Sequence, residues 1–176
     1  MGLIEKSDFR IERMTKHHLE LVRYWRNQRF VREQMEFNKI ISSEAQKQWF
    51  ERIHVLESEE YYIFSANGIP VGLVHLSAIH PENGEANVGL FIGNEHFIGT
   101  GIALQASMFI LIRAFSDLGL KRIIAKVKNS NLEAIQYNEL LGFSFQGVLN
   151  ENFSLYELNA VDYKKRVNLF KRLLRD

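Results

Sequence analysis

The feature that most constrains this chain is an apolar strand joined to a long apolar helix by a glycine-spaced turn. It begins at Gly89-Leu90-Phe91-Ile92, turns through Gly93-Asn94-Glu95-His96-Phe97-Ile98-Gly99-Thr100-Gly101, and continues as Ile102-Ala103 and beyond. The helix is expected from Gly101 to about Leu118, where Gly119 ends it. It is apolar nearly all round (Met108, Phe109, Ile110, Leu111, Ile112), so deep burial is expected. A strand follows at Arg122–Lys128. A strand, a helix and a second strand in one sheet form a crossover, which makes the two strands parallel.

The rest of the chain fills in around that unit. Phe9 to Met14 alternates apolar and charged residues, as a half-exposed strand does. Thr15 reads as a helix N-cap ahead of Leu19, Val22 and Trp25. Ser43-Glu44-Ala45-Gln46 reads as a capping box for a second helix reaching about Leu56. Tyr61–Ala66, Val71–Ile79 and Glu85–Ile92 read as strands, joined by Asn67-Gly68 and by His80-Pro81-Glu82-Asn83-Gly84. They form an antiparallel meander. After Lys128, Asn131–Leu141 reads as a helix with Gly142 as its left-handed stop. Phe143–Leu149 and Phe153–Ala160 form a hairpin, and Val161–Leu174 an amphipathic basic helix. The order β-α-α-β-β-β-α-β-α-β-β gives an α/β fold: a mixed, mostly antiparallel sheet with helices on both faces. No linker or repeat interrupts it, so residues 1–176 are expected to be one domain.

Composition narrows the function classes. A net charge of +1 offers no strong basic field, so nucleic acid is not an expected partner. The chain has no cysteine, which removes thiol chemistry and disulfides. The first residues carry two acids and no apolar segment, and no apolar run has the length of a membrane span. A cytoplasmic protein without membrane contact is expected. His17, His18, His54, His75, His80 and His96 show no ligand spacing, so no metal is expected.

Gly99 and Gly101 stand where a helix N-terminus offers unpaired N–H groups and a positive dipole end. Without Cβ atoms, the backbone there can approach a diphosphate. The same glycines also suit a plain turn that starts a buried helix. A second signature, Asn131-Leu132-Glu133-Ala134-Ile135 running to Gly142-Phe143, follows in the order that separates the two readings.

With both motifs in place, the chain resembles the GNAT superfamily of acyl-CoA-dependent N-acetyltransferases. The family's Gln/Arg-x-x-Gly-x-Gly/Ala pattern falls on His96-Phe97-Ile98-Gly99-Thr100-Gly101. The glycines match, and His96 departs from it. The family's Asn-x-x-Ala-Ile…Gly-Phe pattern falls on Asn131, Ala134, Ile135, Gly142 and Phe143. The resemblance runs from Phe9 to Ala160 and implies acetyl-CoA as acyl donor. The amides of Ile98, Gly99, Thr100, Gly101, Ile102 and Ala103 would hold its pyrophosphate. The pantetheine arm would lie where the third meander strand splays from Arg122–Lys128, against Leu90, Phe91 and Ile92, with Asn131 and Asn138 along it. Asn131 is equally suited to be a helix N-cap.

The implied reaction is direct attack of an amine on the thioester. It needs a proton acceptor, an oxyanion donor and a proton for the leaving thiolate. Family members often carry a carboxylate where this chain has Asn87, which can only orient a water. Glu85 shares its strand face and can substitute through water, or stand as a solvated charge at the strand start. The family tyrosine position is Asn138 here. Tyr137, one residue earlier, is a displaced acid or a core aromatic. His75 is a further base candidate if it faces the cleft, and otherwise a packed histidine.

For the acceptor, Trp25-Arg26-Asn27, Val31-Arg32, Ser42-Ser43-Glu44 and Trp49-Phe50 resemble the branch containing ribosomal-protein and amino-sugar N-acetyltransferases. The branch implies a small-molecule amine, foremost a nucleotide-linked 4-amino-4,6-dideoxy sugar. Arg26 would fork onto its diphosphate, with Phe37 or Trp49 stacked on base or sugar. Trp25 and Trp49 also read as helix-packing core residues, and Arg26 as a surface ion-pair partner. The alternatives are an acetyltransferase of a ribosomal-protein N-terminus and a catalytically silent acyl-CoA-binding module. The basic C-terminal helix is expected to dock on its own domain or on a second copy in a homodimer.

Overall fold

The computed structural model describes residues 8–173, with side chains up to Val167. Residues 1–7 and 174–176 lie outside the described residues, among them Leu174, where the last helix was expected to end. Seven strands form one mixed sheet in the order β1-β2-β3-β4-β5-β7-β6. The chain divides into two compact units. The first takes residues up to Leu76 together with Leu90–Ile110. The second takes Ser77–Gly89 and residues from Leu111 onward.

The first unit holds β1 (Phe9–Arg13), α1 (Leu19–Asn27), α2 (Arg29–Arg32), α3 (Ser43–Ile53), β2 (Glu60–Ala66) and most of β3 (Ile69–His80). It also holds the end of β4 (Glu85–Ile92) and most of α4 (Ile102–Ile112). β1 and β2 are antiparallel from Phe9/Ala66 to Arg13/Tyr62. The β2–β3 hairpin turns on Asn67 and Gly68, at φ 51° and 76°, as an Asn-Gly two-residue loop requires. Its register sets Tyr61 opposite His75 and Ile63 opposite Leu73. Because side chains alternate along a strand, these four share one face. That face is covered by Leu19, Val22 and Trp25 of α1 and by Trp49 and Phe50 of α3, with Met14 and Phe91 completing the cluster. The helical spacing of Leu19, Val22 and Trp25 is what turns all three onto the sheet.

The second unit contains the start of β4, β5 (Arg122–Lys128), α5 (Leu132–Leu141), β6 (Ser144–Val148), β7 (Phe153–Asn159) and α6 (Ala160–Leu173). The crossover rule holds, since β4 and β5 are parallel. Their ladder runs only from Glu85/Arg122 to Val88/Ala125. β5 continues its antiparallel pairing with β7 to Lys128/Phe153. α6 starts on an Asn159 cap, whose side chain accepts from the amides of Val161 and Asp162. It packs on its own unit through buried Tyr163, stacked on Phe115.

Local details differ from expectation. α3 is capped by Ser42, whose hydroxyl accepts from Ala45 N. Ser43 instead donates to Glu20 on α1. α2 has no sequence periodicity to announce it. The long helix is α-helical only to Ile112 and then widens into a π-helical turn, Arg113–Asp117. It is not buried all round: Ala106, Ile110 and Leu111 are, while Ile112 is 46% exposed. Among the described residues no helix is long and apolar enough to cross a membrane.

Candidate active site

In the first unit the glycine turn forms a donor-rich loop. Asn94 caps a short 3-10 turn, Glu95–Phe97, by accepting from His96 N. The Thr100 hydroxyl donates to Phe97 O at 2.7 Å and fixes the exit from that turn. Ile98 N and Thr100 N donate to Glu95 O and Phe97 O, so these two expected anion donors are already bonded. The first α4 bond is donated by Leu104 N to Gly101 O. The amides of Gly99, Gly101, Ile102 and Ala103 precede it and remain for a ligand. Gly99 and Gly101 have φ of 77° and 81°, and a Cβ on either would point into open space. Left-handed backbone, open volume and unbonded N–H groups at a helix start are what a diphosphate needs. The loop therefore fits the CoA pyrophosphate.

The end of α1 braces this loop. The Gln28 side chain donates to Gly93 O at 2.9 Å, and Gly93 N and Asn94 N both donate to Val71 O. A Cβ at Gly93 would collide with the Trp25 ring. Trp25 is 3% exposed and meets Phe91 edge-on. Of the two readings of Trp25, core packing or acceptor contact, its enclosed ring suits the first, and it acts as a wall. Leu90, Phe91 and Ile92 are half-buried.

Arg26, next along α1, is half-buried. Burial pulls its pKa down, partly opposed by Tyr61. Its Nε is buried without a hydrogen-bond partner. One long bond, Nη2 to Phe37 O at 3.5 Å, ties it to the loop ahead of α3. Asn27 holds that loop more firmly, accepting from Ile41 N at 2.7 Å and donating to Ile41 O at 2.9 Å. The Phe37 ring is 56% exposed.

His75 stacks on Tyr61, with centroids 4.8 Å apart and planes 14° apart, as their cross-strand register dictates. Trp49 meets the Tyr61 ring edge-on at 5.1 Å. Part of the His75 ring is accessible, yet Nδ1 is buried and unpartnered. Burial first, then the Arg26 charge, pushes its pKa down to about 4, so it is neutral at pH 7. Burial, with Glu59 next, raises the pKa of Tyr61, whose hydroxyl donates to Glu59. The sequence reasoning missed Tyr61 and Gln46. Gln46 is 3% exposed and its Nε2 has no partner. Its signal was a polar residue on the buried stripe Gln46, Trp49, Phe50, Ile53.

The second unit holds the remaining expected residues. Glu85 Oε2 accepts from Arg122 Nε at 2.9 Å and Nη2 at 2.6 Å, and Arg122 Nη1 reaches Glu157 at 3.5 Å. Glu85 is thus committed to an ion pair, which favours its structural reading over proton transfer. Asn87 is exposed. Asn131 caps α5 by accepting from Ala134 N, which leaves its NH2 group for a ligand. Asn138 Nδ2 donates back to Ala134 O at 2.8 Å. Its carbonyl oxygen and second Nδ2–H remain for a cofactor, and an amide supplies no acid. Tyr137 is half-buried beside it on α5.

These features accord with what the chain is similar to. Residues 8–144 match the family model described as an acetyltransferase (GNAT) domain. The uncharacterized N-acetyltransferase p20 of Bacillus licheniformis is 33% identical over 81 residues, 46% of this chain and 45% of that protein. The spermidine N(1)-acetyltransferase of Escherichia coli K12 is 25% identical over 150 residues, 85% of this chain and 75% of that protein. The spermidine N-acetyltransferase of Vibrio cholerae, solved with CoA and spermine, superposes with a TM-score of 0.80. It is 20% identical, covering 89% of this chain and 98% of that one.

Proposed function

The chain belongs to the GNAT acetyltransferases, and from that premise we propose that it acetylates a small primary amine that also carries an anionic group. The acyl donor is acetyl-CoA. The concrete acceptor is a nucleotide-linked amino sugar, with its diphosphate on Arg26. One observation supports this reading: Arg26 is half-buried, and its Nε is buried without a hydrogen-bond partner. A buried N–H left without an acceptor carries a desolvation cost, and an anionic ligand group supplies the missing acceptor. Gln46 Nε2, also buried and unpartnered, adds a second donor in the same unit. Phe37, exposed beside Arg26, suits a flat base or sugar face.

The polyamine relatives offer the competing acceptor class. A polycation brought to Arg26 would meet repulsion, with neutral His75 unable to offset it. The asparagines at positions 87 and 138 motivate a second alternative, a silent acyl-CoA-binding module. Free-CoA release separates the three. Turnover with a nucleotide-linked amino sugar and not with spermidine or N-terminal peptides is expected. Preferred turnover of spermidine would overturn the anionic-acceptor reading. Binding of acetyl-CoA with no thiol released from any amine would favour the silent module.

A further inference from the structure

The segment from Gln28 to Ile40 leaves α1 and returns to it as a strap. Asn27 closes the strap by holding both backbone groups of Ile41, at 2.7 Å and 2.9 Å, and Arg26 Nη2 reaches Phe37 O within it. Gln28 stands at the strap's first position, where extended backbone (φ −63°, ψ 139°) separates α1 from α2. Its side chain reaches the glycine loop, donating from Nε2 to Gly93 O at 2.9 Å. Gly93 is buried and is the first residue of that loop. It is fixed from two further sides. Its N–H and that of Asn94 share Val71 O, at 2.8 Å and 3.0 Å, and the Trp25 ring occupies the place of a Cβ. A carbonyl buried there needs its donor, because leaving a buried acceptor unmatched costs more than the bond itself contributes. The Gln28 amide thus ties the strap to the stretch that leads to the free amides of Gly99, Gly101, Ile102 and Ala103.

We propose that Gln28 is a positioning residue for both substrates: it sets the distance between the loop that holds acetyl-CoA and the strap that faces the acceptor, while touching neither ligand. The acceptor half rests on the reading above, in which Arg26 and Phe37 meet the acceptor. The acetyl-CoA half rests on the free amides alone. The chemistry explains the need. The attacking nitrogen must come within about 3–3.5 Å of the thioester carbon, and an error of about 1 Å costs about 100-fold. Two loops that wandered independently would seldom meet that tolerance. With the bond in place, Gly93 moves with Gln28, and the strap with both. A carboxamide supplies no charge and no acid, so the effect of Gln28 passes through backbone placement.

The test compares Gln28→Met, which keeps the reach of the side chain and removes the donor, with Gln28→Lys, which restores an N–H donor. Acetyl-CoA affinity is read by titration calorimetry on the full chain. The acceptor KM and kcat are read with whichever amine the parent acetylates fastest. Gln28→Met is expected to weaken acetyl-CoA binding and to raise the acceptor KM, each by about 5-fold, and to lower kcat by about 10-fold or more. Gln28→Lys should recover at least half of each loss on a logarithmic scale. Should Gln28→Met not fold, Gln28→Asn, which draws the same amide back by one methylene, must show both shifts. A lower melting temperature with acetyl-CoA affinity and acceptor KM unmoved would make Gln28 a structural brace and overturn the proposal. So would a change confined to one substrate, or a Gln28→Lys variant no better than Gln28→Met. A parent that prefers spermidine defeats the anionic-acceptor reading and leaves this comparison intact, since the same constants are then read with spermidine.

Discussion

Each unit carries a cluster of charge, and the two differ in the way that distinguishes binding from structure. In the second, Arg122 lies between Glu85 and Glu157 with its guanidinium paired and its side chain half-exposed. In the first, Arg26 is half-buried, has an enclosed and unmatched Nε, and depresses the pKa of a neighbouring histidine. The exposed, satisfied cluster adds little to stability. The enclosed Nε is a standing penalty that a ligand can relieve. The amides of Gly99, Gly101, Ile102 and Ala103 belong with the second kind, since they too are donors waiting for an acceptor.

The comparison can be broken most forcefully at Gly101. Gly101→Val puts a branched side chain into the space above the free amides and into left-handed backbone. Loss of acetyl-CoA affinity by at least about 100-fold is expected by titration calorimetry, beyond the roughly 1–2 kcal/mol of backbone strain. Unchanged affinity would mean the loop is only a turn.

His75 gives the next largest effect, on stability. Its folded pKa, about 4, lies below the unfolded value of roughly 6.5. The unfolded chain therefore binds more protons between those values, and this group's contribution is lost as pH falls from 6.5 to 4. The loss is about 3 kcal/mol. Denaturant titrations from pH 7 to pH 4 should show it in the parent protein. They should show a flatter profile over that window in His75→Phe, and parallel profiles would contradict the depressed pKa.

The second unit has a strain of its own that no ligand relieves. Ala78, within β3, has φ 46°. Ala78→Gly should stabilise the fold by about 1 kcal/mol with turnover unaltered, as read from the urea midpoint and kcat. Smallest of all should be Glu85→Gln: less than about 1 kcal/mol in stability and less than about 2-fold in turnover. A fall in turnover above about 10-fold would restore Glu85 as the base.

Local grammar made much of the fold legible. Asn67-Gly68, Gly142 and the strand–helix–strand order each constrain backbone within a few residues, and they placed the meander, the stop of α5 and the parallel β4–β5 pair. The cap of α3 was misassigned between adjacent serines, because both satisfy the same spacing and only the Ser43–Glu20 bond decides between them. The length of α4 was overread because apolarity does not show where a helix widens. The glycine loop was legible in outline, though not which amides its 3-10 turn uses. The acceptor side was the least legible. Arg26 and His75 come together only through tertiary packing of α1 on β3, and Trp25 reads the same from sequence whether its ring faces core or ligand.

The claim that matters most is that the unmatched Nε of Arg26 selects an anionic acceptor. It is tested by kcat/KM for a nucleotide-linked amino sugar and for spermidine, side by side, in the parent protein and in Arg26→Met. The parent should favour the nucleotide-linked amine, and Arg26→Met should lower that substrate by about 30-fold or more while leaving spermidine unchanged or improved. A parent that favours spermidine, with both substrates falling equally in Arg26→Met, would contradict it.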